Sequence, residues 1–198
     1  TFNYYQYNND TKQRLLKELY LRATKTGVEY ARYKGVKIGD NCRIYTWKFG
    51  TEPWMISIGN KVTITNGVSI LTHDGSTWLM DDEKGRRYLY RRVAIGNNIF
   101  IGINSIIMPG VKIEDNVIIA AGSIVTKSVP SGVIIAGNPA KIIGDFDAYQ
   151  KEVLEKYVSD KDMDYTLDYQ KRIEKVIDNS FKKYRKMISE GNKKIYTS

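Results

Sequence analysis

Aliphatic residues recur at every sixth position through Ile95, Ile101, Ile107, Ile113, Ile119 and Val125, and this period constrains the fold more than any other feature of the chain. Four residues after each stands a second aliphatic or small residue, in order Ile99, Ser105, Val111, Val117, Ser123 and Val129. The same phase runs through Ile38 and Ile44, with Cys42 between them, and through Ile58, Ile64 and Ile70, with Val62 and Val68 between. A period of six matches neither the helical turn nor the simple alternation of a strand. It matches a short strand plus a corner, repeated three times per coil, with two side chains of each hexad turned inward. The chain is therefore predicted to be an all-β solenoid. Corner segments such as Gly39-Asp40-Asn41, Gly59-Asn60, Gly96-Asn97-Asn98 and Asp115-Asn116 supply residues that tolerate left-handed backbone angles. Met108 and Glu114 stand where small residues are expected, and two insertions, around 48–56 and 75–92, interrupt the repeat.

A length of 198 residues suits one main core with small appendages. No apolar run approaches the roughly 18 residues that cross a bilayer, and TFNYYQYNND lacks the apolar stretch of a signal peptide. A soluble cytoplasmic protein is expected. The net charge of +9 is spread thinly: residues 1–35 hold seven basic and three acidic side chains, 36–144 twelve and eight, 145–198 twelve and eleven. That distribution argues against a dedicated nucleic-acid surface. Cys42, the lone cysteine, makes no intrachain disulfide and reads as a small hydrophobe.

Outside the repeat the chain reads as helical. Residues 11–24 place Leu15, Leu16 and Leu19 on one face after a cap at Asp10, and Ile173, Ile177, Phe181, Tyr184 and Ile188 trace a longer seam. These stripes read as packing surfaces that cover solenoid ends, and no membrane contact is predicted. The expected organisation is an N-terminal helical segment over 1–34, a β-helix over 35–144 with a loop excursion at 75–92, and a helical extension over 145–198.

The stretch VAIGNNIFIGINSIIMPGVKIEDNVIIAAGSIVTKSVPSGVIIAGNPAKII, with its AGSIVTKSVP and AGNPAK segments, resembles the last coils and exit of the hexapeptide-repeat acyltransferases. The similarity is greatest to the maltose, galactoside and capsular polysaccharide O-acetyltransferase branch and covers about residues 35–144. It implies a left-handed parallel β-helix, against the usual hand of β-crossovers, assembled as a homotrimer that uses acetyl-coenzyme A as cosubstrate and holds no permanent cofactor. On the matching positions it implies that Phe100, Gly102, Ala121, Thr126, Lys127 and Lys141 line or flank the donor site between neighbouring subunits. Lysines suit phosphate, and small residues admit an extended pantetheine arm. Phe100 stands where the galactoside branch has tryptophan, and Gly144 where a second basic residue is common.

His73, in ILTHDGS, is the only histidine, which excludes the three-histidine zinc site of the carbonic anhydrases that share this kind of coil. No metal is expected. The resemblance carries a catalytic histidine onto His73, just before the longer excursion. A neutral hydroxyl attacks a thioester poorly, and imidazole is a suitable base to take its proton. Asp74 and Glu83 either orient the imidazole or are solvated loop charges. The segment STWLMDDEKGRRYLYRR, with Trp78, Tyr88 and Arg91, and Asp74 before it, is expected to shape the choice of acceptor, because aromatic faces stack on sugar rings and arginines meet phosphates or carboxylates. Equally, its aromatics can pack the loop on the coil, and Trp47 and Trp54 in the first insertion carry the same two readings. The leading function is O-acetylation of a saccharide; amino-sugar N-acetylation, xenobiotic acetylation and a noncatalytic sugar-binding scaffold are the competing ones.

Overall fold

The computed structural model describes residues 4–183, 187–190 and 193–196. It divides into two compact units, Thr1–Lys151 and Glu152–Ser198. The first contains the solenoid, whose short strands sort into three sheets. Face one stacks β1 (Lys37–Ile38), β3 (Ile56–Ile58), β6 (Val93–Ile95) and β9 (Lys112–Ile113) in parallel. Face two stacks β2 (Arg43–Ile44), β4 (Val62–Ile64), β7 (Ile99–Ile101), β10 (Val117–Ile119) and β12 (Val133–Gly137), and then turns back through antiparallel β13 (Ala140–Asp145). Face three stacks β5 (Ser69–Ile70), β8 (Ile106–Ile107) and β11 (Ile124–Val125).

The six-residue period becomes columns of buried side chains. Ile44, Ile64, Ile101, Ile119 and Ile135 lie in register on face two, Ile70, Ile107 and Val125 on face three, and Ile58, Ile95 and Ile113 on face one. Because a branched side chain in each column sits directly on the one below, truncating a central member such as Ile101 to alanine should cost about 2–5 kcal/mol. Apart from half-buried Cys42, the second inward set is also buried, and its two serines are satisfied: Ser105 Oγ donates to the carbonyls of Gly102 and Ala120 (2.7 and 3.1 Å), and Ser123 Oγ to that of Ala120 (2.6 Å).

Four corners share one left-handed position, held by Asn41, Lys61, Asn98 and Asn116 at φ 55, 54, 53 and 57°. At the second coil the position falls to Lys61 and not to Asn60. The Asn60 side chain serves a different bond, since its Oδ1 accepts from Asp40 N (2.8 Å), while Asn97 Oδ1 accepts from Asn60 N (2.8 Å) and Asp115 Oδ1 from Asn97 N (2.7 Å). This ladder ties consecutive corners together along the solenoid axis.

Helices α1 (Tyr4–Thr24) and α2 (Gly27–Lys34) precede the coils, and a capping box between Thr26 and Glu29 starts the second. Asp10 lies inside α1 and not at its start, because the helix already begins at Tyr4. Tyr30 and Ala31 of α2 are buried on the core, and Tyr30 meets Trp47 edge to face with centroids 4.8 Å apart, so Trp47 packs the first coil. Leu15, Leu16 and Leu19 are exposed within this chain. Helix α3 (Phe146–Lys156) follows the sheet.

The second unit contains α4 (Tyr169–Glu174) and an antiparallel pair, β14 (Met187–Glu190) with β15 (Lys193–Tyr196). The expected long helical seam does not form. Only Ile173 is helical; Ile177 and Phe181 are in irregular chain, Ile188 is on β14, and Tyr184 falls outside the described residues. A local bond from Ser180 N to the Asp178 carboxylate (2.8 Å) competes with helical pairing just where the seam would continue. Among the described residues, no helix is long and apolar enough to cross a membrane.

Candidate active site

Both insertions leave the solenoid and meet at one place. The first follows β2 and returns alongside β5: Lys48 bridges Ser69, and Ile70 N donates to Lys48 O (3.2 Å). Gly50, at φ 65°, makes the turn; a Cβ there would stand 3.2 Å from both Ile70 O and Thr72 Oγ1. A side chain would be strained by angle and crowded at once, so this glycine lets Thr51 and Glu52 lie over the next coil. The second excursion starts and ends in a short antiparallel stem. Arg91 N donates to Thr72 O (2.7 Å), Asp74 N to Leu89 O (3.0 Å), and His73 bridges Tyr90.

These two constructions bring Glu52 to His73. The Nδ1 of His73 lies 3.0 Å from Glu52 Oε2 and 3.2 Å from Thr51 Oγ1. Thr72 Oγ1 donates to the same Oε2 (2.6 Å), and Thr51 Oγ1 donates to Glu52 Oε1 (2.5 Å). Since Thr51 gives its only proton to Glu52, it has lone pairs left for an N–H from the ring. The network thus favours the tautomer with hydrogen on Nδ1, leaving Nε2 as the basic nitrogen. Burial pushes the Glu52 carboxyl up, but hydrogen bonds from Thr51, Thr72 and His73 outweigh it and lower the carboxyl to about 2. Glu52 is therefore an anion near neutral pH, able to stabilise a positive imidazolium.

His73 lines a cavity of about 360 Å³ with Asp74, Leu89, Arg91, Met108 and Thr126 among its neighbours. Four of the residues expected from the sequence, His73, Asp74, Arg91 and Thr126, thus share one cavity. Asp74 does not orient the imidazole: its carboxylate accepts from Ser76 N (2.9 Å) and Ser76 Oγ (2.7 Å), bonds that hold it below the ordinary carboxylate range. Glu83 lies exposed in the excursion. Glu52 makes that contact instead. One sequence signal could have found it: a full coil takes 18 residues, as from Ile95 to Ile113, and Glu52 precedes His73 by 21 within an insertion one coil earlier.

Tyr88 and Tyr90 stack at 6.2 Å with ring planes 8° apart, and the Arg86 guanidinium lies 4.5 Å over Tyr88. Trp78 is exposed on a short turn, Gly75–Leu79, outside the His73 cavity.

The remaining positions spread over other parts of the coil. Phe100 points outward from face two and lines a separate groove with Arg43, Lys61, Ile118 and Phe146. Gly102 is buried against the next coil, where a Cβ would come within 2.4 Å of Ala121 N, whereas Ala121 itself is exposed. Lys127 follows Thr126 on the exposed edge after β11, and Lys141 is exposed on β13 opposite Ala136.

A family profile described as the hexapeptide repeat of succinyl-transferase matches residues 92–127. Protein CapG of Staphylococcus aureus is 44% identical over 155 residues, which are 76% of this chain and 90% of CapG. Galactoside O-acetyltransferase of Escherichia coli (strain K12) is 35% identical over 100 residues, 50% of this chain and 49% of that enzyme. A solved structure of galactoside acetyltransferase in complex with coenzyme A superposes at TM-score 0.48 and 29% identity, covering 64% of this chain and 61% of that one. The chain thus spans nine-tenths of CapG and about half of the galactoside enzyme. With hexads that build three parallel faces, and with the likeness to CapG extending over nearly all of that protein, this chain belongs to the left-handed β-helix, hexapeptide-repeat acyltransferase family.

Proposed function

We propose that this chain, an acetyl-coenzyme A-dependent O-acetyltransferase, acetylates a saccharide hydroxyl with His73 as general base and Glu52 as the residue that positions it. The observation that carries this reading is the bond between Nδ1 of His73, which lines a cavity, and a carboxylate held ionised. Nε2 takes the proton of the acceptor hydroxyl as its oxygen attacks the thioester carbonyl. The tetrahedral intermediate collapses, the C–S bond breaks, and the proton passes from the imidazolium to the departing sulfur. Glu52 stabilises the imidazolium between these two transfers. Arg91 and Asp74 in the cavity, with Tyr88 and Trp78 on the excursion, are the acceptor contacts.

For the donor, Thr126 borders the His73 cavity, and Ala121, Lys127 and Lys141 are exposed with side chains suited to a pantetheine arm and its phosphates. Phe100 lines a groove that shares no residue with the His73 cavity. Such separation within one chain supports a homotrimer in which the site draws on adjacent subunits. The test is acetyl transfer to a panel of hydroxy and amino sugars, followed by mass spectrometry. Acetyl esters are expected; acetamides alone would redirect the reading to N-acetylation, and no product from any sugar would overturn the saccharide assignment.

A further inference from the structure

Thr51, which touches the imidazole, also borders a second cavity. It measures about 480 Å³, within the roughly 300–1,000 Å³ of small-molecule sites, and shares no lining residue with the His73 cavity. Its walls come from three elements: Glu18 of α1, Tyr33 and Lys34 of α2, and Gly50, Thr51, Pro53 and Trp54 of the first insertion. A Cβ added at Gly35 would lie 3.6 Å from that of Trp54, so the base of Trp54 stands close to the end of α2, while its side chain is exposed, as is that of Tyr33. Lys34 Nζ pairs with Glu18 Oε1 at 2.6 Å, with both side chains only about a fifth exposed (20 and 22%).

We propose that this cavity is a second acceptor subsite, taking a neutral hexose residue that adjoins the one acetylated at His73. The proposal rests on the saccharide reading above. A hexose has an apolar C–H face and a rim of hydroxyls, each both donor and acceptor. Trp54 and Tyr33 offer aromatic faces for the first. The Glu18 carboxylate and the remaining Thr51 lone pair offer acceptors, and the Lys34 ammonium a donor, for the second. Glu18 and Lys34 cancel in charge, which favours a neutral ring over an anionic one. The two cavities adjoin at one contact, since Thr51 of the second lies with its Oγ1 3.2 Å from Nδ1 of His73, which lines the first. An acceptor at least two sugar residues long would engage both.

The experiment compares p-nitrophenyl hexosides of one unit with the corresponding disaccharides as acceptors, for the full-length parent, Trp54→Ala and Tyr33→Ala. The parent should prefer the disaccharide. Each variant should lose about 2–10-fold in kcat/KM for the disaccharide, carried in KM, with monosaccharide kinetics and oligomeric state unchanged. Equal losses on both acceptors, dissociation of the oligomer, or no loss on either would overturn the subsite. So would uridine diphosphate competing with the disaccharide in the parent but not in Trp54→Ala, since that would make the cavity a nucleotide site. Saturation-transfer NMR with methyl disaccharides adds a readout that needs no turnover. Trp54-dependent binding without acetylation would uphold the subsite and sink the transferase reading, whereas monosaccharide acetylation without any Trp54 dependence would do the reverse.

Discussion

The Nδ1 of His73 sits 3.0 Å from Oε2 of Glu52, a residue delivered from a different coil by a different insertion. In the proposed reaction that contact joins the base to the group that fixes its tautomer and balances its charge. It also separates two roles that sequence alone leaves together, because the neighbouring Asp74 is occupied by Ser76.

His73→Ala should fold and bind coenzyme A, and should lose about 10²–10⁴-fold in turnover. Steady-state kinetics beside coenzyme A binding make the test specific. The loss should fall on turnover, while the affinity for coenzyme A and the melting temperature stay near parental. A variant with parental turnover would remove His73 from the mechanism.

Glu52→Gln keeps size and removes charge. Turnover should drop about 10–100-fold, as for other groups that orient a functional histidine, with the KM for acetyl-coenzyme A close to parental. Glu52→Asp, which restores the charge on a shorter stem, should recover part of the loss. If the glutamine and aspartate variants both matched the parent, the contact would be structural decoration.

The same carboxylate predicts an acid-sensitive component of stability. Its folded pKa is lowered from 4.5 to about 2, so its ionised form stabilises the native state fully above the unfolded value. That contribution fades as pH falls from about 4.5 toward 2. The stability gap between the parent and Glu52→Gln, on the order of 1–3 kcal/mol at neutral pH, should therefore narrow across this window. Denaturant titrations at fixed protein concentration, from pH 6 downward, measure it; a gap that widened in acid would reverse the sign.

Gly102 and Ala121 are expected to respond differently to added bulk. Gly102→Ala forces a Cβ toward Ala121 N on the next coil and should destabilise by about 1–3 kcal/mol, visible as a lower melting temperature with or without coenzyme A. Ala121→Trp adds bulk at an exposed position and should leave the melting temperature of the free protein near parental while raising the KM for acetyl-coenzyme A. A donor KM unmoved by Ala121→Trp would place the pantetheine elsewhere.

The sequence by itself determined the solenoid. Each hexad carries its own inward positions, so the columns from Ile95 to Val125 could be read without knowing any long-range contact, and the same local chemistry marked Asn41, Asn98 and Asn116 as left-handed corners. The place of His73, a unique imidazole beside an interruption of the repeat, was legible too; the cavity it lines was not. Tertiary structure decided what an interruption does. Insertions obey no period, so only the folded chain shows that Gly50 turns the first one over Thr72, that Glu52 and not Asp74 meets the imidazole, and that Trp54 borders a cavity while Trp47 packs on Tyr30. The C-terminal seam failed for the complementary reason: an apolar spacing is compatible with a helix but cannot enforce one against local side-chain to backbone bonds such as that from Ser180 N to Asp178.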